Sequence, residues 1–101
     1  MNAHRSIVGT KKLDLSDLIE SHINHLVELS YYKIRDTNQY SVEIVKKEYL
    51  EHGTKTESEK INLLMDNEVK TDKLIEILMR NTVTPIGLKE TIIEIVKMKM
   101  I

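Results

Sequence analysis

Two histidines in the stretch ESHINHLVE, residues 20–28, are the side chains that first suggest chemistry. On a helix, His22 and His25 would lie about 60° apart around the axis, whereas Glu28 would lie about 120° from His22. These three groups cannot all face one metal ion, and a zinc site would need further ligands from elsewhere. His52 is the only plausible distant ligand. We therefore predict no metal site and interpret the histidines as packed or interface residues.

Catalysis and cofactor binding have no stronger support elsewhere in the sequence. The chain contains no cysteine, its three glycines are isolated, and no serine lies in a G-x-S-x-G turn. The sequence thus supports neither an activated nucleophile nor a glycine-rich phosphate loop. We predict a protein that is not an enzyme, with no catalytic residues and no cofactor.

The composition is that of one small globular domain without a targeting segment. Of the 101 residues, 41% are hydrophobic and 31% are charged, close to the values of ordinary globular proteins. Phenylalanine and tryptophan are absent, so the core must consist of Ile, Leu, Val and Met with a few Tyr. Residues 1–12 lack the apolar stretch of a signal peptide, and no apolar run is long enough to span a bilayer. We predict a cytoplasmic protein that contacts no membrane.

Charge is distributed unevenly along the chain. Residues 1–12 carry three basic side chains and no acidic one, whereas residues 13–68 carry twelve acidic and six basic side chains. The basic end is weak compared with the basic face of a typical nucleic-acid-binding domain. The acidic middle would favour a protein partner with a basic surface and would speed the encounter with it.

Apolar spacings of three and four residues recur with few helix breakers between them, so the sequence predicts an all-α fold. We expect a flexible basic N-terminal tail over residues 1–12 and a bundle of four to five helices over residues 13–101. Thr84 followed by proline has the N-cap and first-position residues of a helix start. Residues 97–101 fit either a frayed helix end or a short terminal strand. The expected helices span about 15–35, 37–52, 56–69, 72–81 and 84–100.

The predicted helices carry more apolar surface than one small chain can cover. The first and last have apolar arcs wider than a surface helix needs, and the second has apolar side chains off its main stripe. A chain of this length can fully surround hardly more than a single helix. We therefore expect a homodimer, a protein partner or both to cover the apolar side chains that the chain itself leaves exposed. The predicted contact residues are Ile23, Val27, Tyr31, Ile34, Tyr40 and Ile44.

These patterns favour a small non-enzymatic regulator or inhibitor that acts through helix faces on another protein. Antitoxins, immunity proteins and inhibitors of host factors are examples of this class. A composition rich in Lys, Ile, Asn and Glu without Cys or Trp suggests a bacterial or phage source.

The alternative is a dimeric helix-turn-helix transcriptional regulator that uses residues 71–97. A short helix, a turn and a second helix started by proline give roughly the required layout. Bulky Ile75 and the acidic Glu90 and Glu94 count against it, because acidic side chains facing DNA repel its phosphates. The candidate DNA contacts are Arg5, Lys11, Lys12, Thr84 and Lys89.

Overall fold

The computed structural model describes residues 3–14, 26–37, 39–63 and 67–99. Within these ranges the chain forms four β-strands followed by two α-helices, and the strands make one antiparallel sheet in chain order. The strands are β1 (His4–Asp14), β2 (Leu26–Asp36), β3 (Gln39–Leu50) and β4 (Gly53–Leu63). The helices are α1 (Glu68–Arg80) and α2 (Leu88–Lys97), with a 3₁₀ turn over Pro85–Gly87 before α2.

The predicted all-α bundle of four to five helices is wrong. The described parts of the first three predicted helices fall mainly in β2, β3 and β4. Residues 4–12 of the predicted tail form most of β1. The last two predicted helices are confirmed, the first as α1 and the second as the 3₁₀ turn with α2.

Side-chain alternation explains why β2 is a strand. Val27, Leu29 and Tyr31 recur at every second residue and are all buried, as expected for one face of a sheet. β-Branched and aromatic residues are frequent in β2 and β3, and they fit the pleated surface well. Strand pairing therefore forms the main-chain hydrogen bonds of this segment and also buries its apolar side chains.

Tight hairpins join the last three strands. Asp36 pairs with Gln39 and Leu50 pairs with Gly53, so each connection has two residues. Gly53 has a φ of 150°, in the positive region where glycine avoids the steric cost of a Cβ. Thr37 has a φ of 57°, which is a strained conformation for a β-branched residue.

Both helical segments begin at identifiable caps. The side-chain oxygen of Asn67 accepts a 3.1 Å hydrogen bond from the N–H of Lys70, which satisfies a donor in the first turn of α1. Thr84 is the N-cap residue of the 3₁₀ turn and Pro85 is its first residue. A helical turn thus starts where the sequence predicted, but the Thr84 side chain makes no capping hydrogen bond and α2 itself begins at Leu88.

The core lies between one face of the sheet and both helices. Each fully buried Leu, Ile or Val side chain contributes about 1.5–3 kcal/mol to this contact. The sheet side of the core consists mainly of Leu29, Tyr31, Val42, Ile44 and Leu63. The helix side consists mainly of Leu74, Ile75, Ile77, Leu78, Leu88, Ile92 and Ile95.

The two helices are short and depend on this packing. α1 has 13 residues and α2 has 10, and isolated helices of such length are marginal in water. Among the described residues, no helix combines the length and apolar character required to cross a bilayer.

Tyr31 joins the sheet to the segment between the helices. Its side chain is buried, and its hydroxyl donates a 2.9 Å hydrogen bond to the main-chain oxygen of Val83. Burial raises the pKa of Tyr31 to about 12. The unfolded chain ionises this group at about pH 10. The folded protein therefore favours the protonated phenol. This stabilisation of the fold is fully present below about pH 10 and is lost as the pH rises through the folded-state pKa.

We expect Tyr31→Phe to lower the free energy of unfolding by about 1–2 kcal/mol, because a buried acceptor loses its donor. Tyr49→Phe is the matched control, since Tyr49 is 37% exposed. Urea unfolding near neutral pH measures both variants. Between about pH 10 and pH 12, the wild type should lose stability more steeply than Tyr31→Phe. Equal unfolding midpoints for the two variants would show that the Tyr31 hydroxyl adds no net stability.

Candidate functional site

Five of the six predicted contact residues are buried within the chain, and the sixth, Ile23, lies outside the described residues. Side chains so deeply buried offer little surface to a partner. The excess apolar surface was predicted from helical geometry, which does not apply to strands. The binding surface therefore lies elsewhere on the molecule. The five buried residues, each 6% exposed or less, are Val27, Tyr31, Ile34, Tyr40 and Ile44.

The predicted DNA contacts do not form one surface. The strand register places Arg5 and Lys12 on the sheet face away from the helices and Lys11 on the face beneath them. Thr84 is half-buried at the start of the 3₁₀ turn, and Lys89 is exposed on α2. Positive charge is thus divided between two sides of the molecule, whereas phosphate binding favours a single basic face.

The histidines provide no described metal site. His22 and His25 lie outside the described residues, so their packing role stays a prediction. His4 lies at the start of β1 and His52 in the β3–β4 connection, and both are exposed. In the part of the chain that the structure describes, no three His, Asp or Glu side chains come together as a metal ion would require.

The outer edge of β1 is the feature best suited to binding. Within the described ranges β1 pairs with β2 on one side and has no strand on the other. An edge strand presents unpaired N–H and C=O groups that can pair with another chain. Ile7 and Val8 of this strand are 57% and 43% exposed, so apolar side chains accompany those main-chain groups.

The opposite edge of the sheet, β4, has a different character. It is polar and mostly exposed from Gly53 to Lys60. Lys55 and Glu57 form an ion pair of 3.2 Å along the strand. Charged residues on an edge strand discourage pairing with a further chain, and residues 6–10 of β1 carry none, so this stretch is the edge more open to a partner.

A β-bulge places two consecutive residues of β1 on the helix side of the sheet. Ile7 pairs with Tyr32 and Gly9 pairs with Tyr31, so Val8 is the extra residue. Because Tyr31 faces the core, Gly9 also lies on the helix side. The bulge shifts the alternation of β1 by one residue and directs Val8 towards α1.

Gly9 and Lys11 bring the carboxyl end of α1 close to β1. A Cβ on Gly9 would overlap the Cε atom of Met79, so glycine leaves room for the end of this methionine side chain to lie over the strand. The Lys11 ammonium donates hydrogen bonds to the main-chain oxygen of Met79 at 3.0 Å and to Oγ1 of Thr82 at 2.7 Å. A positive charge at this position also suits the dipole of α1.

Lys33 fastens the amino-terminal half of α1 to the sheet. Its ammonium lies 2.8 Å from Oδ1 of Asp72 and 3.5 Å from Oε2 of Glu68. The hydrogen bond to Asp72 raises the pKa of Lys33, although burial of the ammonium opposes this effect. Lys33 pairs with Ser6 of β1 in the sheet, so this contact also fixes α1 relative to the first half of β1.

A groove of about 530 Å³ lies between β1 and α1. Its apolar surface comes from Val8 and Met79, and the remaining side chains are charged. Since the groove adjoins an edge strand, a chain that pairs with β1 can direct every second side chain into it. The described residues that line it are Val8, Lys11, Asp72, Glu76, Met79 and Arg80.

Another depression, of about 540 Å³, lies around the β2–β3 connection. Polar and apolar groups contribute about equally to its surface, and its lining includes Asp36, Gln39 and Lys60. Ser41 and Asn62, which also line it, are joined by a 2.8 Å hydrogen bond. This depression therefore offers less apolar surface to a protein partner than the groove beside β1.

The sequence carries a signal for the β1 site that the tail prediction overlooked. Ile7 and Val8 are both β-branched, which favours a strand. An isolated glycine within a strand pattern, here Gly9, is typical of a bulge or of a close backbone approach. No comparable local sequence pattern predicts that residues of α1 line the groove beside β1.

We expect Gly9→Ala to destabilise the fold by about 1 kcal/mol or less, since the added methyl group displaces only the flexible end of the Met79 side chain. In a Met79→Ala background the same change should cost less, and a double-mutant cycle from urea unfolding measures the difference. Gly87→Ala is the control, because its Cβ would meet no atom nearer than Oγ1 of Thr91 at 4.0 Å. An unchanged cost in the Met79→Ala background would contradict the close approach described above.

The chain has a match among protein families. The family model covers residues 8–98, which include all six residues of the groove and both helices. No curated protein and no solved structure matches the chain. Because the matched region is most of the sequence, the chain belongs to the family described as "Family of unknown function (DUF6514)".

Proposed function

We propose that this protein is a non-enzymatic regulator that binds another protein by pairing β1 with an extended segment of that partner. The observation that carries the proposal is an edge strand that has no neighbour on its outer side within the described ranges, beside a groove lined by β1 and α1. In strand addition, main-chain hydrogen bonds supply affinity, and side chains that enter an adjacent groove supply specificity.

The apolar surface of the groove supports this mode of binding. Val8 is 43% exposed, and Met79 packs partly buried against the core. A branched apolar side chain from the added strand would cover both residues. Each methylene buried in this way contributes about 0.8 kcal/mol before the costs of association.

The groove is also held in shape before any partner arrives. Lys11 fastens the carboxyl end of α1 to β1, and Lys33 fastens its amino-terminal half to the sheet. A preformed site loses less conformational entropy on binding than one that must be ordered. This supports recognition of a short segment, which brings few contacts of its own.

A second exposed apolar surface lies around α2, but it suits strand binding less well. Ile93 and Val96 are 43% and 56% exposed, and Ile86 of the 3₁₀ turn is 91% exposed. These side chains lie on the outside of helical segments, whose main-chain groups are largely bonded within the helix. Ile86 is therefore a suitable control position outside the β1 edge.

We expect short peptides selected from a random library to bind the wild type, and Val8→Lys to weaken their binding about tenfold or more. Ile86→Lys is the matched control, because it introduces the same charge at an apolar residue that is 91% exposed. Fluorescence polarisation of labelled peptides measures the affinities. Equal weakening in the two variants would contradict binding at β1.

Hydrogen exchange of backbone amides locates the bound peptide independently. Exchange in β1 should slow when the peptide binds, because edge N–H groups gain partners. Exchange in β4 should stay the same. Protection confined to β4 or to α2 would overturn the proposed site.

The homodimer and the cytoplasmic location predicted from the sequence belong to this proposal. We expect light scattering across a concentration series to show the mass of a dimer at high protein concentration. A monomer at every concentration would contradict the homodimer but not the binding of a partner. A dimer that dissociates in Val8→Lys would identify a second copy as one occupant of the β1 edge.

A further inference from the structure

Charge is ordered along the groove. Asp72 and Glu76 lie one helical turn apart on the exposed side of α1, and Arg80 follows one turn later. Lys11 of β1 lies at the same end as Arg80, since its ammonium binds the main-chain oxygen of Met79. The groove therefore has an acidic end, an apolar middle and a basic end.

The contacts of α1 show how this order relates to β1. Lys33 binds Asp72 and pairs in the sheet with Ser6, whereas Lys11 binds the end of the helix. α1 thus runs in the same general direction as β1. The acidic end of the groove lies beside the first half of β1, and the basic end lies beside Lys11.

Two of the charges are available to a ligand. Asp72 is already paired with Lys33, and Lys11 already donates two hydrogen bonds. Glu76 and Arg80 are exposed, and neither forms an ion pair with another residue in the described ranges. Both can therefore bind an opposite charge without breaking a contact of the fold.

We infer that the partner segment carries an acidic, an apolar and a basic side chain at alternate positions, in that order from its amino end. This inference rests on the proposed function and assumes antiparallel pairing with β1, which is slightly the more stable geometry. An antiparallel strand places its amino end beside Lys11 and Arg80, where an acidic side chain is attracted. Its carboxyl end then lies beside Glu76, where a basic side chain is attracted.

The dimensions are compatible with this order. Positions four residues apart on a strand are separated by about 13 Å, and both project to the same side. Glu76 and Arg80, the two available charges, lie four residues apart on α1, about 6 Å along the helix axis, so the long glutamate and lysine side chains of the segment must span the difference. The apolar side chain between the two charged ones then faces Val8 and Met79.

Two synthetic peptides of identical composition provide the test. One carries glutamate, isoleucine and lysine at alternate positions between threonines, and the other has the glutamate and lysine exchanged. We expect the exchanged peptide to bind the wild type about five- to tenfold more weakly at low salt, since two attractive pairs become repulsive. The difference should shrink at high salt because the charges are screened.

Charge reversal in the protein should invert this preference. We expect the double variant Glu76→Lys with Arg80→Glu to bind the exchanged peptide more tightly than the original one. The matched control is Glu90→Lys with Lys97→Glu, which makes the same exchange on α2 and should leave the wild-type preference intact. Circular dichroism confirms that each variant is folded.

The outcomes separate this inference from the proposed function. Equal affinity for the two peptides, with binding still weakened by Val8→Lys, would overturn the charge order but support strand binding at β1. Tighter binding of the exchanged peptide by the wild type would overturn the antiparallel direction. Failure of both peptides would overturn the inference, while the library peptides and amide exchange decide the proposed function on their own.

Discussion

The fold depends on burying the apolar sides of two short helices against one face of the sheet. α1 and α2 have 13 and 10 residues, and neither length is stable alone in water. Because the chain has no Phe or Trp, many Leu and Ile side chains must fill the core, and Tyr31 is the largest one fully buried. The hydroxyl of this tyrosine finds its partner in the segment between the helices. Among the residues that the structure describes, no strand pairs with the outer edge of β1, which lies directly beside α1.

The sequence predicted the two carboxyl-terminal helices but not the sheet, because the apolar spacing in β2 fits two periods. Val27, Tyr31 and Ile34 recur at intervals of four and three, as on one side of a helix. Val27, Leu29 and Tyr31 recur at intervals of two, as on one face of a strand. The structure follows the second pattern, and Ile34 pairs with Ser41 on the other face. Lys and Glu on the exposed positions of the strands are good helix formers, which strengthened the wrong interpretation. The β-branched residues of β2 and β3 indicated the secondary structure better than the apolar spacing did.

The candidate site was predictable only in part, since most of it comes from residues far apart in the chain. Lys11 contacts Met79 and Thr82, which lie 68 and 71 residues further along. No local pattern reports such a contact. Gly9 does carry a local signal, because glycine within a run of β-branched residues is typical of a bulge. The contact residues predicted from helix wheels lay in the core instead, since burial in a strand follows a different period.

Three acidic side chains in the acidic middle of the sequence are paired with nearby basic side chains. Glu43 is paired with Arg5, Glu48 with Lys46 and Glu57 with Lys55, at 2.8 to 3.2 Å. Opposite charges so close together largely cancel beyond a Debye length, so these acids attract a distant basic partner less than their number implies. A strand added at β1 would displace water from the groove, and lower local polarity strengthens each remaining interaction. If the proposed strand binding occurs, Glu76 and Arg80 are therefore expected to select the partner after contact.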